Sequence, residues 1–116
     1  ELERVREFLR ENGYRILAEE MVLEEEKFYP MMKVCYTGEL STEEDVDLLK
    51  LSNLYGGLLL QNRHPVLKSY LERENTIYAG IREELKRQPQ SEKIVARLAE
   101  VEEVLRWNGK ARRLYE

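Results

Sequence analysis

The sequence predicts an α+β chain: an opening helix and an antiparallel strand pair, then a mainly helical segment ending in a long helical hairpin. Three features carry this. From Pro65 onward Leu67, Leu71, Glu74, Tyr78, Ile81 and Leu85 recur at alternating spacings of four and three, and Ile94, Leu98, Val101 and Leu105 repeat the rhythm. That is the seam of paired helices, with one polar position. Between the two runs, Pro89 cannot continue a helix and Ser91 is a natural N-cap. So short a break at Gln88-Pro89-Gln90-Ser91 predicts antiparallel arms, an antiparallel coiled-coil hairpin over about Pro65–Asn108. Upstream, residues 28–37 alternate two sets of side chains that are both largely apolar, which marks a strand.

Taken in order, Leu2, Val5, Phe8 and Leu9 fall on one side of a helix whose other side is Glu and Arg. Asn12-Gly13 ends it, Gly13 being suited to a left-handed turn. Tyr14–Ala18 reads as a strand, interrupted by the acidic Glu19-Glu20 and resumed over Met21–Glu24 after a bulge. Glu25-Glu26-Lys27 is the expected hairpin turn, without the Asn-Gly or Asp-Gly that favours one. In the second strand, closed by Gly38, Phe28, Pro30, Met32, Val34 and Tyr36 face one way and Tyr29, Met31, Lys33, Cys35 and Thr37 the other. Such a strand needs cover on both faces, the opening helix covers only one, and two strands alone are marginal in water. The pair is therefore expected at the edge region of a larger sheet whose remainder lies outside this chain, and Pro30 fits an edge or a bulge. Ser41-Thr42-Glu43-Glu44 has the capping-box form, so a helix should start at Ser41 with Val46, Leu48, Leu49 and Leu51 on its apolar side. Tyr55-Gly56-Gly57 would let another backbone approach, and Pro65 suits the first turn of the hairpin.

The 116 residues allow one domain or pieces of two, and 42% hydrophobic with 36% charged residues is a folded composition. The longest apolar run, Leu54–Leu60, contains Gly56-Gly57 and falls far short of a membrane span. Glu1–Glu11 is charged throughout, unlike a signal peptide, and a chain opening on Glu1 is expected to be a piece of something longer. One cysteine, Cys35, excludes an internal disulfide and points to a reducing cytoplasm. Cys35 reads as a small sheet-core residue, and His64, the single histidine, as a cap or packing residue where the hairpin begins. No second His or Cys offers metal-ligand spacing, and no acid, base and nucleophile form a catalytic set. The net charge of −4 is uneven: seven Lys+Arg against 14 Asp+Glu up to Leu60, twelve against nine from Gln61 onward. Only the hairpin half could attract a polyanion.

The order of short motifs resembles a known family. A helix runs into Glu11-Asn12-Gly13-Tyr14-Arg15-Ile16, and an acidic hairpin follows with Lys27-Phe28-Tyr29 opening its second strand. Then come Leu40-Ser41-Thr42-Glu43, Tyr55-Gly56 with Leu59-Leu60, His64-Pro65 and Tyr70-Leu71-Glu72-Arg73-Glu74. From Val5 to about Leu105 the chain is similar to the C-terminal part of bacterial tRNA (adenine-N1)-methyltransferases of the TrmK type. Those enzymes join a Rossmann-like, S-adenosylmethionine-binding domain to a C-terminal coiled coil. The resemblance implies that residues 1–39 are the end of the Rossmann-like methyltransferase domain, its last helix and antiparallel strand pair. Residues 40–116 would be a helical coiled-coil domain that helps hold tRNA. Pro30 and the Glu25-Glu26-Lys27 turn depart from the family pattern, in which Asp-Gly is expected at the turn. The resemblance also implies S-adenosylmethionine as cofactor of the complete enzyme, bound upstream, with no catalytic, cofactor or metal residue on this segment. Its partners would be tRNA and the missing N-terminal catalytic domain, and the segment alone would transfer no methyl group.

The candidate site residues are basic. Arg82, Lys86, Arg87, Lys93 and Arg97 cluster around the hairpin tip; Arg106, Lys110, Arg112 and Arg113 lie at its far end, with Trp107 and Tyr115 among them. Cations along a rigid arm could follow RNA phosphates. The alternative is a solvated surface of intrahelical pairs such as Glu83–Arg87 and Glu102–Arg106. With the resemblance, the nine form the expected RNA-binding patch. The rival reading is a coiled-coil interaction or dimerisation module in which Glu74 sets partner choice, or a homodimer or swapped contact through the exposed sheet.

Overall fold

Helix α1 (Leu2–Glu11) is amphipathic, yet the residue it buries is a cation. In the computed structural model, which describes residues 2–40 and 42–116, Arg6 is 2% exposed while Val5 and Phe8 are 45% and 59% exposed. The expected apolar packing side is thus split: Leu2 and Leu9 are half-buried and the other two face outward. The cause is a long-range ion pair. Arg6 Nη2 lies 3.2 Å from Glu19 Oε2, and its Nη1 donates to the carbonyls of Asn53 and Leu54 at 3.0 and 3.3 Å.

Glu19 belongs to β1 (Tyr14–Glu24), which pairs antiparallel with β2 (Lys27–Tyr36) from Tyr14↔Tyr36 to Glu24↔Lys27. The acidic pair does not interrupt β1 as expected. Successive side chains point to opposite faces, so Glu19 turns to Arg6 while Glu20 turns to His64, and the strand continues. The bulge falls earlier, between Ile16 and Ala18. The turn is only Glu25-Glu26, at φ 50° and 67°, with Lys27 already in the strand. At the other end Gly13 (φ 83°) accepts from the Thr37 and Gly38 amides at 2.9 and 3.0 Å; a Cβ on Gly13 would lie 3.0 Å from Gly38 Cα. This closes α1 onto the end of β2. Among the described residues the sheet is only partly covered: Leu17, Val22, Leu23, Tyr29, Met31, Val34 and Tyr36 are exposed, while Met21 is buried and Phe28, Pro30 and Met32 are half-buried.

Helix α2 (Val46–Leu51) starts later than the capping box predicts. Ser41 lies outside the described residues and Thr42–Glu44 are not helical. The cap is Asp45, whose carboxylate accepts from Asp47 N and Leu48 N at 3.0 and 3.1 Å. An ionised carboxylate at this position also complements the helix dipole. Val46 and Leu48 remain exposed and Leu51 is buried. The chain continues through a π-helical turn (Ser52–Gly56) into α3 (Gly57–Gln61). Gly56 admits no backbone neighbour of the kind expected; at φ 100° it makes room for the ion pair, and a Cβ there would meet Glu19 Oε2 at 2.5 Å. Leu51, Tyr55, Leu59 and Leu60 with Met21 are the buried apolar residues around this buried charge.

The chain divides into two compact units, Glu1–Leu67 and Lys68–Glu116. Helix α4 (Pro65–Lys86) begins in the first and supplies one arm of the second; α5 (Glu92–Arg113) is the other arm. Ser91 caps α5 by accepting from Ile94 N at 3.3 Å. The arms are antiparallel: Asn108 reaches Leu71 near the start of α4, and Arg82 near its end lies 3.9 Å from Glu102, earlier in α5. Leu71, Leu85, Val101, Trp107 and Ala111 are buried. Among the described residues no helix is long and apolar enough to cross a membrane.

Candidate nucleic-acid interface

Helices α4 and α5 carry eight of the nine predicted site residues and Arg87 lies in the turn just after α4, but their side chains are not equally available. At the tip, Arg82 Nε lies 3.7 Å from Glu83, Arg87 lies 3.6 Å from Glu84, and Arg97 lies 3.1 Å from Glu100. Arg106 makes a two-pronged bond to Glu103, at 2.9 Å to Oε1. The expected Glu83–Arg87 and Glu102–Arg106 pairs do not form; each arginine takes the carboxylate three residues back instead of the one four back. Both spacings put side chains on one helix face, so sequence alone cannot choose. Lys86, Lys93 and Arg113 are exposed and have no carboxylate within 4 Å among the described residues.

Arg112 serves the interior. Its Nε donates to Asn108 Oδ1 at 2.7 Å and its Nη2 to Asn75 Oδ1 at 3.2 Å. Asn108, fully buried, spends its two amide hydrogens on Leu71 O (2.9 Å) and Glu74 Oε1 (3.0 Å). Both amide hydrogens are therefore spent across the two arms, while the oxygen accepts from Arg112 within α5. The seam position Glu74 is engaged from within, also accepting from Tyr70 Oη at 3.4 Å, which removes the argument that it selects an outside partner. Asn108 stands three residues after Leu105, the next seam position of the second arm, but sequence reasoning ended the apolar run at Leu105 and passed over a polar residue there. The available signal was its place opposite Glu74 once the arms are folded together.

Trp107 is buried rather than a free stacking platform. Its Nε1 donates to Glu103 at 2.7 Å, while the Arg106 guanidinium and Lys110 ammonium sit 4.8 and 4.9 Å from its ring centre. Burial of Tyr115 pushes its phenol up to about 12.

The first unit holds two polar clusters. In the buried one, Glu19 Oε1 accepts from Leu58 N at 3.3 Å and Arg10 Nε donates to Asn53 Oδ1 at 2.9 Å, so the Arg6–Glu19 pair is bound into the π-helical turn. In the exposed one, His64 Nδ1 accepts from Val66 N at 3.2 Å, which leaves Nε2 to carry the proton toward Glu20. The Met21 amide, and then His64, hold the Glu20 carboxyl below the usual carboxylate range. Neither cluster combines a nucleophile with an activating base, and among the described residues no group of His, Cys, Asp and Glu could hold a metal.

Residues 1–110 match the model of the family TrmK, tRNA (adenine(22)-N(1))-methyltransferase. The chain belongs to the TrmK family. This TrmK-family chain is similar to an uncharacterized protein from Listeria monocytogenes serotype 4b, with a TM-score of 0.83 and 21% identity over 95% of this chain and 46% of that one. It is similar to the B. subtilis tRNA methyltransferase TrmK, with a TM-score of 0.77 and 18% identity over 95% and 47%. A protein in the NADB-Rossmann superfamily from Streptococcus agalactiae gives a TM-score of 0.72 and 20% identity over 96% and 43%. At these identities the likeness is one of fold: the helix, strand pair and helical segment correspond to part of a Rossmann-like methyltransferase. The TrmK-family chain spans less than half the length of each of these structures. No curated protein matches it.

Proposed function

We propose that this chain is the C-terminal segment of a tRNA (adenine-N1)-methyltransferase, where it finishes the sheet of the catalytic domain and positions folded RNA through its basic helical arm. Residues 1–39 would close the Rossmann-like domain, and residues 40–116 would form the helical domain with its coiled-coil hairpin. The observation that carries this reading is a family match over residues 1–110 joined to apolar side chains, on α1 and both strands, that stand exposed among the described residues. The upstream domain would bind S-adenosylmethionine, which supplies the methyl group. The residues of this segment do not fit that cofactor: its strands are antiparallel, a two-residue turn joins them, and no glycine-rich loop leads from a strand into a helix. The enzyme would work in the cytoplasm and read tRNA by shape and backbone more than by base edges.

Tyr29→Asp combined with Met31→Asp tests the sheet role. In this chain both positions are about half exposed, at 45% and 48%, so the segment alone should change by no more than about 0.5 kcal/mol per site. In the complete protein the same change would bury unpaired carboxylates, at a cost of several kcal/mol. A complete protein whose melting temperature is unmoved sinks the sheet-completing role. For the arm, filter binding of tRNA at two salt concentrations should give a steep salt slope; salt-insensitive binding would remove it.

A further inference from the structure

We infer that RNA meets the arm along the Arg106–Lys110–Arg113 stripe of α5 and not at the hairpin tip, a refinement that rests on the tRNA-binding reading above. The charges decide it. From Arg82 to Glu102, five cations stand against five carboxylates, and three of those cations lie within 4 Å of a glutamate. From Glu103 to Glu116, four cations stand against two carboxylates, and one of the four, Arg106, is paired with Glu103. Screening at physiological salt acts over about 8 Å, so a phosphate responds to the local balance, which is null at the tip and positive at the end.

Geometry adds to charge. Arg106, Lys110 and Arg113 are four and three residues apart, hence on one helix face, in a row about 10 Å long at 1.5 Å per residue. Arg112, the fourth cation, is turned inward to Asn108 and Asn75. The Trp107 ring lies under both Arg106 and Lys110, at 4.8 and 4.9 Å. Cation–π contact with a buried ring holds the two heads in place before any ligand arrives, so less side-chain freedom is lost on binding. Cations in a last helical turn also complement the helix dipole. That accounts for Lys110 and Arg113, but not for Arg106 on the same stripe two turns back.

The test removes two charges at each place in the complete protein. Lys110→Gln with Arg113→Gln should weaken tRNA binding at least five-fold at low salt. It should also lower the slope of log affinity against log salt by about 1.4, two contacts at about 0.7 each. Lys86→Gln with Lys93→Gln, the tip cations without a carboxylate within 4 Å, should change affinity less than two-fold. The charge-keeping variant Lys110→Arg with Arg113→Lys should bind as the parent does, which separates lost charge from lost packing. If the tip pair weakens binding as much as the end pair or more, the stripe is wrong while the tRNA-binding reading stands. If neither pair moves a salt-insensitive affinity, both fall together.

Discussion

Glu19 and Arg6 have side chains 1% and 2% exposed, with charged atoms 3.2 Å apart. Glu19→Gln keeps the volume and can still accept from Leu58 N, but it leaves the Arg6 guanidinium buried without a counter-charge. Breaking a buried pair from one side costs about 3–5 kcal/mol; the two carbonyls that Arg6 retains, Asn53 O and Leu54 O, argue for the lower end. Arg6→Met should cost as much or more, since it strands both the Glu19 carboxylate and those carbonyls. The double variant Arg6→Met with Glu19→Gln removes both charges and should lose at least about 2 kcal/mol less than the two single losses combined. Urea unfolding followed by far-UV circular dichroism reads this directly. With a slope of about 1–3 kcal/mol per molar, a loss of about 3 kcal/mol moves the midpoint by about 1–3 M. A Glu19→Gln unfolding free energy within about 1 kcal/mol of the parent's, or strictly additive single losses, would refute the claim that this pair organises the first unit.

Two further expectations concern the hairpin turn and the C-terminal end. Glu25 and Glu26 sit at φ 50° and 67°, a left-handed conformation that costs a side-chain-bearing residue about 1–2 kcal/mol. Glu25→Asn with Glu26→Gly matches the turn and, after the glycine's entropy loss, should stabilise the chain by about 1 kcal/mol in the same urea assay; an unchanged or lower midpoint contradicts the turn geometry. Tyr115 should ionise near pH 12, seen as a late step in phenolate absorbance that Tyr115→Phe abolishes. Its folded value lies above an ordinary phenol's value of about 10, so its contribution to stability is full below pH about 10 and is lost as pH rises toward 12. A Tyr115 step at about pH 10 would show that burial does not act on it.

What could be read from the sequence was what is local. The 4-3 rhythm, Pro89 and Ser91 define the two arms because each acts within a turn or two of its own position. The oily second strand announced an uncovered sheet because alternation is a nearest-neighbour property. What escaped was whatever depends on partners far away in the chain. Arg6 looks solvated until Glu19, Asn53 and Leu54 close around it, and Gly56 looks like a packing point until that ion pair fills its space. The start of α2 departs from the capping box because Asp45, which lacks a Glu or Gln three residues on, caps the helix instead. Of the nine candidate RNA contacts, sequence placed them all on the arm but could not tell that Arg112 is structural, since its bond to Asn75 spans 37 residues.

The buried Asn108 amide, both of whose hydrogens are given to the other arm, has a consequence for how such hairpins can change in length. Adding residues at Pro89-Gln90 only lengthens an exposed loop, whose closure cost grows slowly with size. Adding a single residue between Ser91 and Asn108 rotates that amide by about 100° around its helix, away from Leu71 and Glu74. Growth of the arm should therefore be tolerated at its apex, or in matched additions to both helices that preserve phase, and rejected elsewhere.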